Sequence, residues 1–354
     1  FTSMDLYSNA CRHLLIFGLI VGCEAGVFNF KHDMFASETG YYTVDGVDGV
    51  SPALEMNLGE TYTFIQNDVS NWYHPLGFAY YPDGAHEDQP EVENDDGTGN
   101  VLTYLINGIE PPLGLDDYEP AFAVARADWK MHSYEINLTI NDPNTTEIFY
   151  FCHIHNKMSG RIRINNANEP YVPKELYAPY VPDSFDATCG TFETHNFDLN
   201  SENYCPNSTF LCGAEDNQFS KCMQAIDCKM NYEMRVTNFE PNPIVTFIHQ
   251  MIPHHVNAVN MAKILLKTTD MDETNDDELE MKEMLLSIVN GQNEQITYMR
   301  KWLNDHNYTT SEASRCDEVH VSSSPSPPDS ENSAPMLAAS LSFILVVYGC
   351  AVLL

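Results

Sequence analysis

The chain has 354 residues, with 17 Lys+Arg against 51 Asp+Glu and a formal net charge of −34. That length fits two compact units with tails, and a hydrophobic content of 43% is too high for wholesale disorder. The acidity excludes a nucleic-acid surface, which needs a basic patch to displace counterions, and excludes charge-driven binding to anionic lipid.

At the N-terminus, Leu14 to Val21 (LLIFGLIV) is a short apolar run behind Arg12 that ends in Cys23-Glu-Ala25, a small-x-small cleavage pattern. Residues 1–25 therefore read as a secretory signal peptide, too short to span a bilayer; the rival reading is a buried helix.

Residues 26–168 carry a strand pattern. Thr61–Ile65 (TYTFI) alternates, as do Tyr134, Ile136, Leu138 and Ile140, and then Arg161-Ile-Arg-Ile164. Glu147–Phe151 (EIFYF) is a dense aromatic and β-branched run, and Asn141-Asp-Pro-Asn144 is a turn. Short strands between turn signals predict a Greek-key β-sandwich. The acidic stretch from Pro82 to Glu119 interrupts the pattern and is expected to form a loop.

The chemistry of this part sits in Phe149-Tyr-Phe-Cys152-His-Ile-His155-Asn-Lys-Met158-Ser-Gly160. Cys152 ends one strand and the next starts near Gly160, so the loop can present Cys152, His155 and Met158 together. A thiolate, an imidazole and a weak thioether are three of the four groups of a blue-copper site. The fourth is an imidazole from another strand, and Asn71-Trp-Tyr-His74-Pro supplies His74.

Here the sequence resembles the cupredoxins. The Cys-x2-His-x2-Met-x-Gly spacing is that of amicyanin, and the resemblance spans roughly residues 40–166. It implies that His74, Cys152, His155 and Met158 are type 1 copper ligands. Cupredoxins often have Asn after the first His, which ties the ligand loops together. Pro75 stands there instead and has no N–H to give, so the hydrogen bonds around the ligands must differ. The rival reading makes Cys152 half of a disulfide and the histidines ordinary surface groups. His153 resembles the His that follows the type 1 Cys in multicopper oxidases. Phe151 precedes Cys152, however, so a His-Cys-His pattern is missing, and no His-x-His partners occur.

Residues 169–215 form a Pro/Tyr-rich, then Cys-rich, connector. Glu169–Asp186 reads as an extended linker, and Cys189, Cys205, Cys212, Cys222 and Cys228 follow closely. Disulfides are expected, with zinc as the alternative, and Cys316 closes onto this region from beyond the next domain.

Residues 216–316 change to a helical period. Met223, Ile226, Met230 and Met234 step by three or four. Asn242-Pro243 is a good cap for a helix over Ile244–Lys267, with Pro253 expected to kink it. Phe247, Met251, His254, His255, Ala258, Met261, Ala262 and Leu265 share one face, which is assigned to the core. A second helix, about Asp277 to Asp305, is expected to bury Met281, Met284, Leu285, Ile288, Gln292, Ile296, Met299 and Leu303. Gln292 on that stripe needs a partner. The Met-Ile-Pro-His-His run at 251–255 with Met261-Ala-Lys263, followed by Gln292, Gln295, Met299 and Trp302, resembles the ferritin-like helical family known as domain of unknown function 305. Its members include secreted copper-binding proteins. The resemblance implies Met251, His254, His255, Met261 and Met299 as ligands of a second copper site, with Cu(I) the expected ion. The family often has Glu where Gln295 stands.

Residues 317–335 read as a Ser/Pro-rich stalk. Residues 336–354 (MLAASLSFILVVYGCAVLL) are an uncharged apolar tail, read as a GPI-anchor signal, with a single membrane span as the alternative. Trimming both ends leaves seven cysteines, one of which can be a thiolate ligand while six form three disulfides. Sequons at Asn137, Asn144, Asn207 and Asn307 fit a glycosylated ectodomain.

The expected protein is multi-domain, β plus α: a Greek-key cupredoxin sandwich followed by a Met/His-rich ferritin-like bundle. It is expected to be secreted and anchored at the extracellular face of the membrane, to bind copper, and to exchange single electrons with a partner the sequence does not name. No nucleic acid partner is expected. The competing readings are an extracellular metal oxidase or reductase serving metal uptake, and an adhesion protein with a vestigial copper site.

Overall fold

The computed structural model describes residues 24–94, 96–197, 204–205, 209–213, 217–236, 238 and 242–310. The signal-peptide reading over 1–23, the stalk, the apolar tail and Cys316 lie outside them. The N-terminal part is β and the C-terminal part is helical. Nine strands are described: β1 (Glu24–Asp33), β2 (Tyr41–Val44), β3 (Leu54–Asn57), β4 (Thr61–Ile65), β5 (Leu76–Ala79), β6 (Val101–Ile106), β7 (Tyr134–Thr139), β8 (Glu147–Cys152) and β9 (Gly160–Asn165). They form a five-stranded sheet in the order β2-β1-β4-β7-β6 and a four-stranded sheet in the order β3-β9-β8-β5. The β1–β4 and β3–β9 pairs are parallel, and the others are antiparallel.

The sheets meet through aromatic side chains. Phe30 of β1 packs edge-on to Tyr150 of β8 at 5.1 Å, and Phe64 of β4 to Phe78 of β5 at 4.7 Å. β7 shows the alternation read from its sequence, with Tyr134, Ile136 and Leu138 buried. β8 is buried along its whole length, since it lies inside the smaller sheet.

Two strands depart from the expectation. β1 begins at Glu24, inside the segment assigned to the signal peptide. The acidic stretch from Pro82 to Glu119 is not a plain loop, because it contributes β6, the edge of the larger sheet. Leu102 and Tyr104 point into the core there, while Val101 stays exposed at the edge.

The helices are α1 (Leu115–Tyr118), α2 (Arg126–Trp129), α3 (Ser184–Cys189), α4 (Gln218–Glu233), α5 (Pro243–Thr268) and α6 (Asp276–Asp305). Side-chain oxygens of Asn217, Asn242 and Asn275 cap the last three. Disulfides join Cys189 to Cys222 and Cys205 to Cys228, so α3 and the connector are stapled to α4. Cys212 is exposed and Cys152 is buried, and neither is in a disulfide among the described residues. No helix among the described residues is long and apolar enough to cross a membrane.

α5 runs unbroken through Pro253 and packs on α6. Its buried stripe is Val245, Ile248, Ile252, Val256, Val259 and Ala262. This corrects the sequence expectation: Phe247, His254 and Met261 are exposed, on the opposite face. On α6, Leu285, Ile296, Met299 and Leu303 are buried against α5, but Met281 and Met284 are exposed at 41% and 47%. The physical reason is that α6 buries a second face. Leu286, Asn290, Asn293 and Thr297 step by three and four and lie against the sandwich, and Leu286 joins the sandwich's own core.

Candidate metal centre

The register of β5 on β8 sets Leu76 opposite Cys152. His74 lies two residues before Leu76, so the pairing carries it to the loop that follows Cys152. Tyr73, just before it, has a left-handed backbone with φ 69°, a conformation unfavourable for an aromatic residue. The backbone N–H of His153 donates to the Pro75 carbonyl at 2.9 Å and extends the ladder past β5. Pro75 therefore ties the two loops through its oxygen, not through a missing N–H.

Three donor atoms meet in the buried interior. Cys152 Sγ lies 3.7 Å from His74 Nδ1 and 3.7 Å from His155 Nδ1, and the two Nδ1 atoms are 3.2 Å apart. A point equidistant from all three lies about 2.1 Å from each, which suits imidazole–metal bonds of about 2.0–2.1 Å and is just short of the ~2.3 Å of a thiolate bond. The donor set thus fits a metal ion without rearrangement. The three residues are at most 2% exposed. Met158 is also fully buried, three residues beyond His155.

Hydrogen bonds fix the rings. His155 Nε2–H donates to the Asn290 carbonyl of α6 at 3.0 Å, which leaves the Nδ1 lone pair facing Cys152. The His74 carbonyl accepts from Tyr42 OH at 2.9 Å and from Gln66 Nε2 at 2.7 Å. Gln66 Oε1 in turn accepts the Leu76 N–H at 2.9 Å, clamping the chain on both sides of Pro75. The His32 ring stacks on His74 with centroids 3.6 Å apart, and its Nε2–H donates to the Thr39 carbonyl at 3.0 Å.

Burial dominates the electrostatics. It lowers His155 to about 4 and His32 to about 3, each opposed by its carbonyl hydrogen bond. Burial, with His32 and His155 close by, lowers His74 in the same direction. All three imidazoles are therefore neutral near pH 7, the state in which a ring nitrogen can bind a metal. Burial also pushes the Cys152 thiol up to about 12, against the backbone N–H groups of His155 and Ile154. Without a cation the thiol stays protonated, and a bound ion would supply the charge that favours the thiolate.

His153 is held apart from this group. Its Nε2 lies 3.0 Å from Glu91 and its Nδ1 2.6 Å from Glu119, so both nitrogens face carboxylates. Despite burial, those two partners raise it to about 10. It is an imidazolium in a salt bridge and has no lone pair to offer. Beside His74, a cavity of about 150 Å³ runs between the sandwich and α6, with His32, Met34 and Trp72 on one wall and Lys282, Leu286 and Asn290 on the other.

The residues of the second expected site are spread over both sides of α5. His254 and Met261 are exposed, Met251 and His255 are half-buried, and Met299 is buried in the α5–α6 core. His255 Nδ1 and Gln292 Oε1 are buried without hydrogen-bond partners among the described residues. Those are two polar atoms on packed helices with no satisfied contact, which a ligand could supply. A third cluster, Asp183, Asp186 and His195, is explained by its own hydrogen bonds: Asp183 caps α3, and Asp186 accepts from Thr191, Thr194 and Tyr180.

His32, Gln66 and Asn290 were absent from the sequence reading. The alternation of Phe28, Phe30 and His32 on β1 could have pointed to the first; no apolar periodicity marks the other two. Residues 245–341 match the model of a domain of unknown function (DUF305), in keeping with the resemblance read from the Met/His run of α5 and the Gln/Met run of α6. No curated protein matches the chain. No solved structure matches it either.

Proposed function

We propose that the chain is a copper-binding protein whose sandwich is a Greek-key cupredoxin domain and whose buried centre serves one-electron transfer. The observation that carries this reading is the convergence of His74 Nδ1, Cys152 Sγ and His155 Nδ1, all within 3.7 Å of one another on residues at most 2% exposed. One thiolate with two imidazoles is the donor set of a blue-copper site, and Met158 is the candidate weak axial ligand. Copper held there would supply exchange of a single electron between its cuprous and cupric states. The protein's residues do the rest. His74 and His155 offer neutral nitrogens, Gln66 and Tyr42 fix the His74 backbone, and the apolar surroundings keep water out.

In this reading the helical segment is a ferritin-like copper-handling module. His255, with its unpartnered Nδ1, is its inner ligand, and Met251, His254 and Met261 lie on or beside the exposed face. The acidic charge of the chain raises the local concentration of cations around both sites. Secretion, glycosylation and a C-terminal anchor at the extracellular face complete the proposal, with copper ions and a redox protein as partners.

The test is copper stoichiometry by competition with a chromogenic chelator, on the wild type and on His74→Ala, His155→Ala and His255→Ala. The proposal expects two equivalents in the wild type. Loss of the Cu(II) equivalent is expected in the first two variants, and loss of Cu(I) affinity alone in the third. Unchanged binding in His74→Ala and His155→Ala would overturn the sandwich site.

A further inference from the structure

The candidate centre is roofed by the protein's own helix. Asn290 of α6 is only 6% exposed and its carbonyl is bonded to His155. Its side chain lines the cavity beside His74, so a single helical residue is bonded to one imidazole and borders the other. Around it, α6 is pinned to the loops of the sandwich. Leu286 enters the sandwich core, Thr297 Oγ1 donates to Asn156 Oδ1 at 3.4 Å, and Arg300 makes two bonds to the Glu38 carboxylate at 2.6 and 3.0 Å. From α5, Lys263 adds bonds to the carbonyls of Ser37 and Glu38 at 2.9 and 2.8 Å. The cavity beside His74 lies along the same seam, because its second wall is α6.

We propose that α6 is a resident cap of the centre, that Asn290 is a positioning residue that holds His155 through its carbonyl and borders His74, and that seating of α6 governs access to Cys152. The cap part rests on geometry alone, whereas the positioning part rests on the reading of the three donors as a copper centre. Two consequences separate this arrangement from simple packing. Reagents in water should meet Cys152 only through opening of the α6 seam, so weakening the seam far from the sulfur should speed its chemistry. Changing the Asn290 side chain should alter the electronic properties of a bound metal without removing any ligand.

The experiment uses the full copper-free chain and follows iodoacetamide alkylation by peptide mass spectrometry, with the exposed Cys212 as an internal standard. Cys152 should react at least ~100-fold more slowly than Cys212 in the wild type. The double variant Glu38→Gln/Arg300→Met and the separate variant Leu286→Ala should each speed Cys152 at least ~10-fold and leave Cys212 unchanged. Far-UV circular dichroism verifies that the sheets persist. Equal rates at Cys152 and Cys212 in the wild type would overturn the cap. So would an unchanged Cys152 rate in both variants once hydrogen exchange shows α6 loosened. On copper loading, Asn290→Ala should keep the stoichiometry but shift the reduction potential, and an unshifted potential would overturn the positioning role. If no copper binds to the wild type, the centre itself is refuted, while the alkylation rates still decide the cap.

Discussion

His32 offers a test of the buried imidazole cluster that removes no proposed ligand. Its ring is 8% exposed and stacked on His74, and burial holds it neutral down to about pH 3. The unfolded chain protonates the same ring near pH 6.5. Below that pH the unfolded state binds more protons than the folded one, so stability falls as pH falls and continues to fall towards pH 3. Between pH 7 and pH 5 this single group removes about 2 kcal/mol, at about 1.4 kcal/mol per pH unit once the unfolded ring is protonated. His155, lowered to about 4, adds a loss of similar size, and His74 is shifted in the same direction; together they are a large fraction of the ~5–15 kcal/mol that holds a typical domain together. His32→Gln keeps an amide donor for the Thr39 carbonyl and deletes the titration. Urea unfolding of the copper-free protein at both pH values should show the wild type losing about 2 kcal/mol more than the variant. Equal losses in the two proteins would refute the assignment of His32 as a buried neutral imidazole.

Gly160 opens β9, and a Cβ there would sit 2.0 Å from Cζ of the buried Tyr150. Gly160→Ala should therefore destabilise the sandwich by about 1–3 kcal/mol, visible as a lower thermal midpoint; an unchanged midpoint would mean that Tyr150 is not fixed by its bond to the Pro52 carbonyl. Replacing Cys189 and Cys222 together by Ala should cost about 2–4 kcal/mol in chemical denaturation under non-reducing conditions. A double variant as stable as the wild type would show that the staple between α3 and α4 does not restrain the unfolded chain.

Strands β7, β8 and β9 were legible because alternation and aromatic density survive in short windows, and the Cys152–His155–Met158 spacing could be read from one loop. β6 was hidden because its six residues lie inside an acid-rich stretch. The orientation of α5 was not legible for a different reason. Val245, Ile248, Ile252, Val256 and Val259 form one apolar stripe, and Phe247, Met251 and Met261 form part of another, so periodicity alone permits either face to be buried. The partner decides, and α6 takes the first. The second buried face of α6 escaped because Asn290, Asn293 and Thr297 are polar. The side chains of Asn293 and Thr297 bond to Glu38 and Asn156, and the Asn290 carbonyl bonds to His155, contacts that no hydropathy pattern records. The buried His74, Cys152 and His155 could thus be read one residue at a time, whereas the helix that covers them required the tertiary structure.

The central claim is that Cys152 is a copper thiolate between two histidines. The most direct measurement is the visible and electron paramagnetic resonance spectrum of the purified protein during titration with Cu(II), in parallel with Cys152→Ser and Cys212→Ser. An intense sulfur-to-copper absorption that saturates at one equivalent, persists in Cys212→Ser and vanishes in Cys152→Ser is the expected result. Its absence from the wild type, or its survival in Cys152→Ser, would contradict the account.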